Sequence, residues 1–153
     1  MINAAINLVS LFCCDHRALA DWYASVFGFG EIQEVGSPVF VALAAGPVAL
    51  GFHHADAYDL LGIEVARRVR GTTVHCTFDI GSPQDVDAAL STLNAHDATI
   101  LKAPFTTYYG ARQIVFADPE DNVMRLSSRQ DALNMAIAQP ARSSDRTEAW
   151  TKR

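Results

Sequence analysis

His75 is a lone histidine on an apolar, strand-like run, His75-Cys76-Thr77-Phe78-Asp79-Ile80. An unperturbed imidazole titrates at about 6.5, which suits general acid or base work at neutral pH, although a lone histidine on a strand also serves as a satisfied core residue. Arg125 lies in a second such run, Val123-Met124-Arg125-Leu126. A cation on a sheet face is costly unless paired, so Arg125 either meets an acid such as Asp79 or holds an anionic oxygen of a ligand. Guanidinium geometry favours bidentate recognition of carboxylates and phosphates. His53-His54 resembles a metal pair at first sight, but adjacent strand residues point to opposite faces. At most one of them joins His75, and an off-centre metal on His53, His75 and Asp79 is the form such a site would take. Tyr108-Tyr109, just before Gly110, either pack as amphipathic hairpin residues or stack on a flat ligand. Cys13, Cys14 and Cys76 form no C-x-x-C, have no zinc-like spacing and lack the neighbouring base of a reactive thiol. Arg67-Arg68-Val69-Arg70 reads as a solvated loop, or else as a lid.

The chain that must position these groups has 153 residues, the length of one domain. Half the residues are hydrophobic and 19% are charged, which is globular composition. Twelve Lys plus Arg against seventeen Asp plus Glu give a net charge of −5, which argues against nucleic-acid or anionic-membrane partners. The three cysteines, the absence of a basic signal n-region and the absence of a long apolar span point to a cytoplasmic protein.

A weak internal repeat organises the domain. The apolar run Leu8–Cys13 ends at Asp15, and the run from His75 to Ile80 ends at Ser82, both N-cap residue types 67 positions apart. Each opens a helix whose apolar stripe repeats at the same offset: Leu19, Trp22, Tyr23 and Val26, then Val86, Ala89, Leu90 and Leu93. Strands are expected after the first helix at about 31–35, 39–44 and 48–53, and after the second at about 98–103, 110–117 and 123–128. The pattern is β-α-β-β-β twice, an α+β fold with modules 1–54 and 73–128 joined by a linker 55–72 that holds a short helix and a loop. Beyond 128, a helix at about 130–138 and a mobile tail with a possible anchor at Trp150 are expected.

Phe116-Ala117-Asp118-Pro119-Glu120-Asp121-Asn122-Val123-Met124-Arg125-Leu126 resembles the strand, D-P-(D/E)-G-N turn and last strand of the vicinal oxygen chelate superfamily, which includes glyoxalase I, bleomycin-resistance proteins and extradiol dioxygenases. Asp121 replaces the usual Gly, and Asp tolerates the left-handed conformation better than most residues. Ala18–Gly28, with Trp22-Tyr23 and Phe27-Gly28-Phe29, is similar to the family's first helix, and the resemblance spans about residues 5–128. It implies two modules curled into a cup-shaped, eight-stranded mixed sheet with flanking helices, and homodimers whose cups are completed across the interface.

The resemblance also implies one divalent-metal ligand on each of four strands, carried here by Leu8, Gly51, His75 and Arg125. Of these, only His75 has a donor side chain suited to a metal. No metal or other cofactor is therefore expected at the family's usual centre. Strand alternation puts Ser10 and Phe12 beside Leu8, Ala49 and His53 beside Gly51, Thr77 and Asp79 beside His75, and Gln113 and Val115 on the neighbouring strand. With Tyr108 and Tyr109 at the rim, these positions form an expected ligand-binding surface. The implied function is small-molecule binding without a metal, or alternatively lyase or isomerase chemistry with His75 as acid or base and Arg125 as the oxyanion partner.

Overall fold

The computed structural model describes residues 6–57, 75–108 and 110–128. The expected linker helix and loop, except at its start, Tyr109, the helix at 130–138 and the Trp150 anchor lie outside the described residues. The element order is β1 (Leu8–Cys13), α1 (His16–Phe27), a 3-10 turn (Gln33–Val35), β2 (Phe40–Ala45), β3 (Val48–His54), β4 (Thr77–Asp79), α2 (Pro83–Ala95), β5 (Thr99–Thr106), β6 (Arg112–Ala117) and β7 (Val123–Ser127).

Both helices begin where their caps dictate. The Asp15 carboxylate accepts from the Ala18 amide at 2.9 Å, and α1 ends on Gly28 in the left-handed conformation that glycine adopts without Cβ strain. Helix α2 opens with a reciprocal capping box between Ser82 and Asp85 and with Pro83 in its first turn. The stripes face inward as spaced: Leu19, Tyr23, Val86 and Leu93 are buried, and Trp22, Val26, Ala89 and Leu90 pack against them.

The strands form two sheets, ordered β1-β3-β2 and β4-β7-β6-β5. In each, the strand before the helix pairs in parallel with the module's last strand, and the last two strands pair antiparallel. Register repeats with the sequence, since Ser10 lies opposite Gly51 and Thr77 opposite Arg125. Among the described residues seven strands form, against an expected eight. Residues 31–35 make one bridge, Glu31 to Leu43, and then turn into the 3-10 segment, because Gly36-Ser37-Pro38 follows too soon for a ladder to extend. The fifth expected strand is also shorter. Its first rung is the Arg125 amide to the Cys76 carbonyl, so His75 falls before β4 in non-strand conformation.

One core joins the modules. Tyr23 packs between Phe52 and Phe78, with ring centroids 5.2 and 6.2 Å away, and Trp22 donates its indole N–H to the His96 carbonyl at 2.8 Å. The Asp118–Asn122 turn completes the seam. Asp118 accepts from the Glu120 and Asn122 amides and from the buried Tyr23 hydroxyl, while the Glu120 carboxylate accepts from the Cys14 and Asp15 amides at 2.7 and 2.8 Å. Asp121 adopts the positive φ its position requires, 63°. Among the described residues no helix is long and apolar enough to cross a membrane.

Candidate functional site

Burial settles which side chains share a face. Met124 and Leu126 on β7, Ile114 and Phe116 on β6, and Phe78 on β4 belong to the core cluster under the helices. Alternation then places Arg125 and Ser127, Gln113 and Val115, and Thr77 and Asp79 on the opposite, helix-free face of the second sheet. The same logic puts Leu8, Ser10, Phe12, Gly51 and His53 on the helix-free face of the first, since Cys13, Leu50 and Phe52 are core.

Arg125 is half-buried, and both its Nε and its Nη2 donate to the Thr77 hydroxyl oxygen, at 3.0 and 2.8 Å. The expected pairing with Asp79 does not form; the Asp79 carboxylate accepts instead from the Gly81 amide. No acid is in salt-bridge contact with Arg125 among the described residues. One side of the guanidinium is thus fixed by a neutral hydroxyl, and no carboxylate among the described residues offsets its charge. Gln113 and Ser127, joined at 3.2 Å, are buried on the same face.

His75 is exposed and has no hydrogen-bond partner among the described residues. It is neither the satisfied core histidine nor a strand residue in contact with Arg125. Tyr108 is fully exposed.

On the first sheet, His53 is stacked between Phe12 and Phe40, at centroid distances of 5.3 and 4.4 Å. Burial, followed by the neighbouring His16, lowers its pKa below the ordinary 6.5, so the imidazole is held toward its neutral form. Its Nδ1 is buried and has no hydrogen-bond partner among the described residues. His54 faces the other way, toward Asp56 at 3.1 Å and the His16 ring. Phe40 was missed from sequence; its alternation with the buried Val41 and Leu43 was the available signal. A Cβ at Gly51 would sit 2.6 Å from Ser10 Oγ and 2.7 Å from Phe40 Cε2, so the helix-free face leaves no room for a side chain there.

A family model for the Glyoxalase/Bleomycin resistance protein/Dioxygenase superfamily matches residues 5–126. The chain belongs to that superfamily. A superfamily enzyme from Burkholderia phytofirmans PsJN is 35% identical, with a TM-score of 0.78, and the match covers 82% of this chain and 98% of that one. A Nocardioides member is 22% identical over 84% and 85% of the two chains, with a TM-score of 0.70. A lactoylglutathione lyase from Agrobacterium tumefaciens is 18% identical over 82% and 94%, with a TM-score of 0.64, a likeness of fold alone. No functionally curated protein matches.

Membership sharpens the test of the superfamily's divalent metal. At the four positions the resemblance assigns to ligands, Leu8 and Gly51 offer no donor, a Cβ at 51 would clash with Ser10 and Phe40, and Arg125 would repel a cation. The residues present do not fit the metal. The off-centre alternative is not assembled either: among the described residues no three His, Cys, Asp or Glu side chains converge, so His53, His75 and Asp79 do not form a ligand set.

Proposed function

We propose that this superfamily member binds a small organic molecule through an anionic oxygen, with Arg125 as the anchor in place of the family's metal. The observation that carries the reading is the Arg125–Thr77 contact. A half-buried guanidinium held at 3.0 and 2.8 Å by a neutral hydroxyl, with no carboxylate against it among the described residues, keeps its remaining N–H donors for a ligand. Gln113 and Ser127 supply polar neighbours, and Thr77 fixes the guanidinium plane. The ligand is sequestered rather than transformed.

We place the protein in the reducing cytoplasm as a homodimer. Its three cysteines are free thiols, and β1 is the outermost strand of its sheet, which suits pairing with a second copy. The test is a thermal-shift panel of carboxylates and phosphates, followed by elemental analysis and product analysis. An anionic compound that stabilises the wild type but not Arg125→Met, and is recovered unchanged, supports the reading. Stoichiometric metal bound through His75 would overturn it, and turnover dependent on His75 would replace sequestration with lyase or isomerase chemistry.

A further inference from the structure

The internal repeat has one unequal pair of corners. At the end of β1, the five-residue turn Asp118–Asn122 reaches across and Glu120 closes the corner on the Cys14 and Asp15 amides. The matching amides after β4, Gly81 and Ser82, bond within their own segment, to Asp79 Oδ1 and Asp85 Oδ2. The turn facing them, Gly46-Pro47 between β2 and β3, is two residues long and reaches no such partner. A cleft of about 460 Å³ stands at this corner, between the Gly46-Pro47 turn and β4.

Its walls have a specific chemistry. Phe27, Phe29 and Phe78 line it as an aromatic cluster, with Phe27 to Phe29 at 5.3 Å and 15°, Phe27 to Phe78 at 4.7 Å and 29°, and Phe29 to Phe78 at 6.1 Å and 44°. The outer edge of β4, which carries Phe78, also borders it. The Arg125 amide bonds to the Cys76 carbonyl and the Ile80 amide to the Ser127 carbonyl. In a parallel ladder these rungs use Phe78 and leave the main-chain N–H and C=O of Thr77 pointing away from β7. Among the described residues no lysine or arginine lines the cleft, so nothing there favours an anion. The volume lies within the roughly 300–1,000 Å³ of small-molecule sites.

We propose that this cleft is a second small-molecule site, separate from Arg125, for a neutral planar heteroaromatic carrying an N–H donor and a carbonyl acceptor side by side, as a lactam does. The ring lies against the Phe27-Phe29-Phe78 cluster, and the lactam edge pairs with Thr77 as an added strand would. The site does not depend on the Arg125 reading, because neither its aromatic wall nor its main-chain edge involves that residue.

The experiment titrates the full-length, isotope-labelled protein with 2-quinolinone and with N-methyl-2-quinolinone, reading the amide resonances. Expected are saturable shifts centred on Thr77 and Phe78, and binding of the N-methyl compound weaker by about tenfold, as loss of one hydrogen-bond donor implies. Ala45→Leu, which narrows the cleft, abolishes 2-quinolinone binding while leaving the melting temperature and the response to anions unchanged. The proposal is overturned if the wild type shows no shift at Thr77, or if the N-methyl compound binds equally well. It is also overturned if a folded Ala45→Leu protein binds undiminished. Protection of the Thr77 amide from exchange in a dimer that binds neither compound assigns the edge to a second copy instead.

Discussion

Tyr23 and Asp118 lie 95 residues apart in the chain and are joined by a buried 2.9 Å hydrogen bond from the phenol to the carboxylate. The bond ties the helix of the first module to the turn that precedes the last strand of the second. Burial, and then the charge of Asp118, raise the phenol's pKa, so Tyr23 remains a donor at any pH the fold survives. The turn that sets Arg125 in place is therefore anchored from the opposite module.

Tyr23→Phe removes that donor and keeps the ring. Asp118 Oδ2 retains the Asn122 side-chain amide at 3.0 Å, so the loss falls at the lower end for a bond to a charged group, about 1.5 kcal/mol. Urea unfolding measures it. A change below about 0.5 kcal/mol would show that the seam does not depend on this bond.

Gly51→Ala places a methyl 2.6 Å from Ser10 Oγ and 2.7 Å from an edge carbon of Phe40. The expected cost is about 1–3 kcal/mol, typical of overpacking. Ser10→Gly in the same chain relieves one of the two clashes and returns part of it. Equal stability of wild type and Gly51→Ala would mean that the face has slack which the contact distances deny.

His53 gives a pH signature. Its pKa is lowered in the fold by burial and then by His16, so between the folded value and the ordinary 6.5 the unfolded chain binds more protons than the native one. Stability then falls as pH drops below about 6.5, and His53→Gln flattens the fall over that window. The lowered carboxylates Glu31 and Asp85 act further down, below their ordinary 4.5 and 3.8, and do not confound it. Midpoints of urea unfolding at pH 7.5 and 5.5 give the test; an unaltered pH slope in His53→Gln would remove the assignment.

The fold was legible because it is written twice. Asp15 and Ser82 as caps and the two stripes recur at one offset, and both helices and the strands other than 31–35 formed within about three residues of their expected bounds. Alternation also put Thr77, Arg125, Gln113, Ser10 and His53 on the correct face, because burial on the helix side enforces a period of two. Legibility failed where pairing rather than composition decides. Residues 31–35 have strand-like composition but too little room before Gly36-Ser37-Pro38, and His75 belongs to an apolar run whose ladder starts one rung later. The partner of Arg125 was equally hidden: an acid two residues along the strand looked suitable, yet the side chain directly across the parallel register, Thr77, takes the contact.

The central claim, that Arg125 held by Thr77 is a ligand anchor, is tested most directly by calorimetric titration of the wild type, Arg125→Met and Thr77→Val with the best-bound carboxylate or phosphate from the panel. Loss of a charged hydrogen-bonding group is worth about 1.5–3 kcal/mol, so Arg125→Met weakens binding by roughly 10- to 150-fold, and Thr77→Val weakens it less by loosening the guanidinium. Affinity unchanged in Arg125→Met, or a wild type that responds to no anion in the panel, would contradict the account.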